Sequence, residues 1–174
     1  MRPRRRRTGR VRTKNPEAQS PAFLLDGMLG SLAKKMRMLG MDAEFAADED
    51  DTLIRYRSRS EGRIVLTRDA RLAERLGENS WLVSGADARG EFASVLPLLR
   101  RFELSVKPLT RCLDCNAMLY EMDREEAGNM VPRYVWMTAE RFMGCPRCGK
   151  CYWPGTHADR MAAEIAEMLE ALGG

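Results

Sequence analysis

Two closely spaced cysteine pairs constrain the fold of this chain more than any other feature of the sequence. The pairs have the form Cys-x-x-Cys, and 29 residues separate them; they are Cys112 with Cys115 and Cys145 with Cys148. Each pair is followed by a residue that tolerates positive φ, Asn116 or Gly149, as a tight turn after two ligands requires. This pattern predicts a four-thiolate Zn²⁺ site in a zinc ribbon. Because protein ligands fill all four positions, we expect this zinc to be structural.

The fifth cysteine, Cys151, forms a competing pair with Cys148. Because Tyr152 follows it and is a poor turn residue, we interpret Cys151 as a free thiol in a strand. Because the chain is long enough for a core of ordinary size, its cysteines are better interpreted as metal ligands under reducing conditions than as a disulfide framework. The sequence also lacks a secretory signal and any run of about 18 apolar residues, so we expect a cytoplasmic protein without a membrane span.

The positive charge of the chain is concentrated near its N-terminus. Eight of the 29 Lys and Arg residues precede the first acid, Glu17, and the remaining 21 face 25 Asp and Glu residues. Residues 1–21 contain few apolar side chains, which predicts a disordered arginine-rich arm. Such an arm either binds RNA or is a solvated extension without function. The net charge of the whole chain is therefore poor grounds for inferring a nucleic-acid partner.

Between this arm and the cysteines, short apolar runs alternate with segments of helical periodicity. The runs lie at 22–25, 42–46, 63–66 and 81–83, and the helical segments at 28–39, after the acidic cluster 48–51, at 70–76 and at 91–101. This alternation predicts an α/β domain over residues 22–107, with a mainly parallel sheet between two layers of helices. We expect a small zinc ribbon over 108–155, with a strand-like stretch at 133–136, and a C-terminal helix over 156–174.

Acidic residues follow two of the predicted strands. Asp26 comes after the first strand and Asp69 after the third, each directly before a helix. Since the carboxyl ends of parallel strands meet at one edge of a sheet, we expect both carboxylates to converge there. With a third acid they would hold Mg²⁺ or Mn²⁺, which prefer hard oxygen ligands. The third acid is Asp51 or Asp50, although acids at the start of a helix also serve as caps.

The sequence argues against three other kinds of chemistry: transfer through an aspartyl-phosphate, nucleotide hydrolysis and the use of a dinucleotide cofactor. The segment 25–29 is similar to the first motif of haloacid dehalogenase phosphatases, but Leu24 replaces their nucleophilic aspartate, so no aspartyl-phosphate can form. The chain has neither a Walker phosphate loop nor a Gly-x-Gly-x-x-Gly fingerprint. Nucleotide hydrolysis and a dinucleotide cofactor are therefore not expected.

Three segments resemble motifs of one family. They are Phe-Leu-Leu-Asp-Gly-Met-Leu-Gly at 23–30, Gly-Arg-Ile-Val-Leu-Thr-Arg-Asp at 62–69, and Tyr-Trp-Pro-Gly-Thr-His at 152–157. In this order, and with the two cysteine pairs, they resemble the Mut-seven carboxy-terminal RNase domain family, in which a PIN-like domain is fused to a zinc ribbon. The resemblance covers about residues 22–161 and implies a PIN-like three-layer domain.

The resemblance also implies a metal-dependent ribonuclease that cleaves the phosphodiester bonds of RNA, with single-stranded RNA as the expected substrate. It assigns Asp26 and Asp69 as catalytic, metal-binding acids, and Asp51 is a looser match to a third. The ribbon would assist RNA binding. Candidate contacts to the RNA backbone are Arg68, Lys34, Lys35 and Arg37, although cations on a helix face are commonly just solvated. Three aromatic residues, Trp136, Tyr152 and Trp153, either stack on bases or form the core of the ribbon.

Two other functions stay open at this point. One is a non-catalytic RNA-binding zinc-ribbon protein, in which the acids are structural, and the other is a protein-interaction adaptor. Turnover with Mg²⁺ or Mn²⁺ would distinguish the enzyme from both. Steep salt dependence of RNA affinity would distinguish the RNA-binding protein from the adaptor. We expect His157, the one histidine in the sequence, to be structural.

Overall fold

The structure, a computed structural model, describes residues 20–102, 104, 106–155 and 158–173. Most of the predicted arginine-rich arm and His157 lie outside these residues. The predicted alternation before the cysteines is confirmed, since strands and helices follow one another in the expected order from residue 22 to residue 99. Within the described ranges, no helix is both long enough and apolar enough to cross a membrane.

A four-stranded parallel sheet forms the centre of the larger part of the molecule. Its strands are β1 (Ala22–Asp26), β2 (Asp42–Ala46), β3 (Ile64–Thr67) and β4 (Ser80–Leu82), in the spatial order β2-β1-β3-β4. The helices that follow these strands are α1 (Gly30–Met38), α2 (Asp51–Glu61), α3 (Ala70–Leu76) and α4 (Ala88–Leu99). The order reverses between β1 and β3. Open α/β sheets bind ligands at such a switch point, beyond the carboxyl ends of the strands.

Alternate side chains of the strands supply two apolar layers. Phe23 and Leu25 are buried on the face that α1, α4 and the C-terminal helix α7 (Ala158–Gly173) cover. Leu24 and Val65 are buried on the other face, against α2 and α3. Both faces of the sheet are therefore covered, as near-continuous apolar strands require. The predicted three-layer α/β architecture with a C-terminal helix is confirmed.

A smaller antiparallel sheet carries part of the cysteine-rich region. Its strands, in the spatial order β5-β6-β7, are β5 (Tyr120–Met122), β6 (Phe142–Gly144) and β7 (Cys151–Tyr152). Two short helices, α5 (Arg124–Ala127) and α6 (Arg133–Thr138), lie between β5 and β6. The prediction of a strand-like stretch at 133–136 is wrong, because these residues form α6. Val131, Val135 and Ala139 recur every four residues and bury one side of this segment, so helical burial outweighs local β propensity.

Candidate functional site

The structure couples Asp26 and Asp69 through one buried side chain, Thr67. Thr67 ends β3 and is fully buried, and its hydroxyl donates a hydrogen bond of 2.7 Å to Asp26 Oδ2. The same hydroxyl accepts a hydrogen bond of 2.9 Å from the backbone N–H of Asp69. Asp26 at the end of β1 is thereby linked to the start of α3 across the switch point. We call this part of the molecule, formed by Asp26, Thr67, Arg68 and Asp69, the acidic edge.

Local turns orient the two carboxylates. Asp26 Oδ1 accepts a hydrogen bond of 2.6 Å from the N–H of Gly27. A Cβ at Gly27 would lie 2.9 Å from the carbonyl oxygen of Ala47, so this close approach requires glycine. Asp69 is the N-cap of α3, and its Oδ1 accepts hydrogen bonds from two backbone N–H groups of the first turn. Both carboxylates are therefore held in place while they remain at the surface.

The third acid lies apart from this pair. Asp50 is the N-cap of α2, and its Oδ1 accepts a hydrogen bond of 2.8 Å from the N–H of Leu53. Asp51 lies in the first turn of α2 and pairs with Arg75 of α3 over 3.3 Å, at a surface position. Among the residues that the structure describes, no three carboxylates bring their oxygens within 4.8 Å of one another. The acids therefore form an open edge and not a closed cage.

The cations predicted to contact RNA lie in different environments. Lys34 is on the surface of α1, with 62% of its side chain exposed. Lys35 forms an ion pair with Glu164 of α7, so its ammonium group already has a partner within the protein. Arg68 lies at the acidic edge, with 40% of its side chain exposed. Arg37 does not lie on the surface as predicted: it is buried, and its donors are bound inside the protein.

The four predicted zinc ligands converge on one point. Their Sγ atoms all lie within 4.8 Å of one another, with 3.6 Å between Cys112 and Cys148 and 3.3 Å between Cys115 and Cys145. Tetrahedral Zn²⁺ with Zn–S distances of about 2.3 Å separates its sulfurs by about 3.8 Å, so the cluster fits this metal. Cys151 lies in β7, outside the cluster, as predicted.

The two Cys-x-x-Cys pairs form equivalent turns. Asn116 and Gly149 have φ values of 67° and 72°, in the left-handed region that the sequence pattern predicts. Their N–H groups donate hydrogen bonds of 3.0 Å to the carbonyl oxygens of Cys112 and Cys145, respectively. The backbone therefore presents all four sulfurs in two matching knuckles.

The surroundings of Cys112 favour its thiolate. Burial opposes ionisation, but the Tyr152 hydroxyl at 3.1 Å and a backbone N–H from Cys115 at 3.5 Å lower the pKa of Cys112 to about 6. Burial raises the pKa of Cys115 to about 12. Tyr152 thus contacts one sulfur of the candidate metal site, a contact that the sequence does not reveal. Trp136 and Trp153 remain more than a third exposed.

Arg37 and Asn116 join the first knuckle to β2. Arg37 is 3% exposed, and its Nε donates a hydrogen bond of 2.8 Å to the carbonyl oxygen of Ala43. A terminal nitrogen of the same guanidinium donates hydrogen bonds of 2.9 Å to the carbonyl oxygens of Leu113 and Asp114. Asn116 is equally buried, and its Oδ1 accepts a hydrogen bond of 3.0 Å from the N–H of Ala43. Burial lowers the pKa of Arg37, an effect that neighbouring acids and thiolates oppose.

The zinc cluster and the acidic edge lie at different ends of the sheet. Ala43, which contacts the first knuckle, pairs with Phe23 near the start of β1. Asp26 ends β1 and pairs with Ala46. Three residue steps separate these two levels, which is about 10 Å at about 3.3 Å per residue. The zinc cluster is therefore a separate centre from the acidic edge.

Local sequence patterns do not identify the roles of Thr67, Arg37 and Asn116. Thr67 and Asp26 are 41 residues apart in the chain, and Asn116 and Ala43 are 73 residues apart, so periodicity contains no information about these contacts. One signal was available for Thr67, because a polar residue that ends an apolar strand and precedes a candidate catalytic acid lies at the switch point.

Comparison with known proteins points to one family. A family model described as the Mut7-C RNAse domain matches residues 21–165. The matched residues include the acidic edge, all four cysteines of the cluster and every strand of both sheets. Searches of curated proteins and of solved structures found no match.

Proposed function

Since this chain belongs to the Mut7-C RNase domain family, we propose that it is a metal-dependent ribonuclease that hydrolyses phosphodiester bonds in single-stranded RNA. The observation that carries the proposal is the hydrogen-bonded series Asp26–Thr67–Asp69. It links the Asp26 carboxylate, at the end of β1, to the backbone N–H of Asp69, which follows β3, at the edge of the sheet where α/β folds bind ligands. Asp51, at the start of α2, is the third acid of the proposed site.

The donor set at the acidic edge fits a hard divalent cation. Asp26 and Asp69 offer carboxylate oxygens, and proteins commonly bind Mg²⁺ through one or two carboxylates together with water and substrate phosphate. An ion bound there would supply an activated water for attack on phosphorus. The protein's own contribution is orientation: Thr67 holds Asp26 Oδ2, and the cap of α3 holds Asp69 Oδ1. This orientation of both carboxylates by the protein itself supports the proposal.

The ribbon supports the proposed function through structure and charge. Three cations lie near the knuckles, each with more than half of its side chain exposed and each paired with Asp114 or Glu44: Lys34, Arg147 and Lys150. They suit a polyanion, and exposed Trp153 offers a face on which an unpaired base can stack. Zinc bound by four cysteines has no open position for water, so its proposed role is structural. A cytoplasmic location, where thiols stay reduced, is part of the same proposal.

A cleavage assay with end-labelled single-stranded RNA tests the proposal. Zinc-loaded protein is incubated with Mn²⁺, with Mg²⁺ or with EDTA, and its zinc content is measured after each incubation. We expect cleavage with the divalent cations only. Asp26→Asn and Asp69→Asn should each lower the cleavage rate by roughly 100-fold or more, because each removes a carboxylate that the metal requires. Asn caps a helix about as well as Asp, so the second variant keeps α3 intact.

Asp87→Asn is the matched control. Asp87 caps α4 as Asp69 caps α3, through hydrogen bonds from Arg89 and Gly90 N–H, but it is not part of the acidic edge. We expect this variant to cleave like the wild type. Cleavage that persists in Asp26→Asn and Asp69→Asn would exclude the acidic edge as the active site. Salt-sensitive RNA binding without cleavage would favour a non-catalytic RNA-binding protein, a function that the open arrangement of the acids also fits.

A further inference from the structure

Glu91, in the first turn of α4, is a buried carboxylate outside the proposed set of acids. Only 7% of its side chain is exposed, and it pairs with Arg68 over 3.5 Å. Acidic side chains are almost never buried without a partner, because an isolated buried charge is costly. Arg68 lies directly between Thr67 and Asp69, the residues that organise the acidic edge. The buried anion and the proposed site are therefore connected through one guanidinium.

The backbone around Glu91 fixes its position. Gly85 has a φ of 143°, and a Cβ there would lie 2.4 Å from the backbone nitrogen of Glu91. Only glycine permits this approach between the loop after β4 and the start of α4. Asp87 caps the helix, and its carbonyl oxygen accepts a hydrogen bond of 2.9 Å from the N–H of Glu91. The backbone that carries the carboxylate is thus held in place near the positive end of the helix dipole.

We propose that Glu91 is a positioning residue that holds Arg68 ready to bind a phosphate of the RNA at the acidic edge. This inference rests on the proposed function for the identity of the ligand. The exposure of the two side chains supports it, since Glu91 is buried whereas 40% of Arg68 faces solvent. A guanidinium has five N–H donors, so one edge can bind the carboxylate while another binds phosphate oxygens. An anchored Arg68 loses less side-chain entropy when RNA binds than a free arginine does.

A binding experiment tests this inference independently of cleavage. Zinc-loaded protein is titrated with a fluorescent, cleavage-resistant 2′-O-methyl single-stranded RNA, without added Mg²⁺ or Mn²⁺, over a range of salt concentrations. Arg68→Gln should weaken binding by about tenfold and reduce the salt slope by about one phosphate contact. Glu91→Gln should weaken binding by roughly threefold to tenfold. Removal of an anion would by itself strengthen binding of RNA, so a loss of affinity in Glu91→Gln points to positioning.

Arg100→Gln is the matched control. Arg100 follows the last turn of α4, is exposed and donates a hydrogen bond to the carbonyl oxygen of Ala171. This variant removes one cation from the far end of α4, about 14 Å from Glu91 at about 1.5 Å per residue, which exceeds the screening length in physiological salt. We expect its affinity for the RNA to stay within about twofold of the wild type.

Two results would overturn the inference. One is a Glu91→Gln protein that binds the RNA as tightly as the wild type, or more tightly. The other is an Arg68→Gln protein that behaves like Arg100→Gln. If Glu91→Gln does not fold, the RNA affinity of Arg68→Lys tests the inference instead. Lysine keeps the positive charge of arginine but not its planar guanidinium. Positioning predicts that Arg68→Lys binds as weakly as Arg68→Gln, and wild-type affinity in Arg68→Lys would refute it. Positive binding results without cleavage by the wild type would leave the role of Glu91 standing while the nuclease proposal fails.

Discussion

The two ends of the parallel sheet are stabilised in opposite ways. At the zinc end, Arg37 reaches the carbonyl oxygen of Leu113 across 76 residues of chain, and this contact is largely removed from solvent. At the acidic edge, Asp69 accepts hydrogen bonds from N–H groups two and three residues further along. Two contacts between distant parts of the chain also reach this edge, the bond from Thr67 to Asp26 and the ion pair of Arg68 with Glu91. Long-range buried contacts make the zinc end part of the scaffold, whereas local contacts orient the acids and leave them accessible.

Removal of the metal should break the zinc end and produce the largest effect. We expect Cys145→Ser to lose bound zinc and to lower the Tm by at least about 10 °C, since structural zinc contributes roughly 10 kcal/mol in small zinc domains. Hydrogen exchange should accelerate in the ribbon and β2 before it accelerates in β3. Cys151→Ser is the control and should retain its zinc, because Cys151 lies outside the cluster. Equal zinc loss in both variants would contradict the ligand assignment.

The second-largest effect is expected from Arg37→Met, which tests whether the junction between knuckle and sheet is structural. The variant leaves one buried and two partly buried carbonyl oxygens without their donor, so we expect a loss of about 3 kcal/mol in the free energy of unfolding. Urea unfolding of the zinc-loaded protein measures this loss. Lys34→Met, three residues earlier on the same helix but exposed, should cost no more than about 0.5 kcal/mol. Similar losses in the two variants would mean that the buried contacts do not stabilise the junction.

Thr67→Val tests whether the bond from Thr67 to Asp26 serves function more than stability. Valine fills the same volume but cannot donate to Asp26 or accept from the N–H of Asp69. We expect a loss of about 1–2 kcal/mol in the free energy of unfolding. Metal-dependent cleavage should fall at least tenfold even where the protein is fully folded, because Asp26 is no longer oriented. Thr67→Ser keeps the hydroxyl and should keep most of the activity; full activity in Thr67→Val would show that this contact is dispensable.

The smallest change in stability is expected at the pair Asp51 and Arg75. Both side chains are about half exposed, so Arg75→Ala should change the free energy of unfolding by less than about 0.5 kcal/mol. Asp51→Asn should be as stable as the wild type but should cleave RNA more slowly. Asp50→Asn keeps the cap of α2 and should cleave at the wild-type rate. A larger defect in Asp50→Asn than in Asp51→Asn would make Asp50 the third acid.

The parts of the molecule that sequence predicts well are those whose information is local. Asn116 and Gly149 occupy left-handed positions because a turn directly after two ligands demands it, and the spacing of the cysteines reveals that turn. The alternation of strands and helices can likewise be predicted from the pattern of neighbouring residues. The error at 133–136 arises because one side of this segment is buried in the ribbon core, and this burial overrides β propensity. The roles of Arg37 and Thr67 cannot be predicted from local sequence for a similar reason, since they depend on partners far away in the chain.

The junction at Ala43 also bears on self-association. β2 lies at the edge of the parallel sheet, where unpaired backbone groups offer a template for a strand from another molecule. Asn116 accepts the outward N–H of Ala43, and Arg37 donates to its carbonyl oxygen. The opposite edge strand, β4, has only three residues, which is itself a poor template. We therefore expect a metal bound by the four cysteines to hold the first knuckle against β2 and to hinder intermolecular strand pairing, and we expect metal-depleted protein to aggregate through this edge.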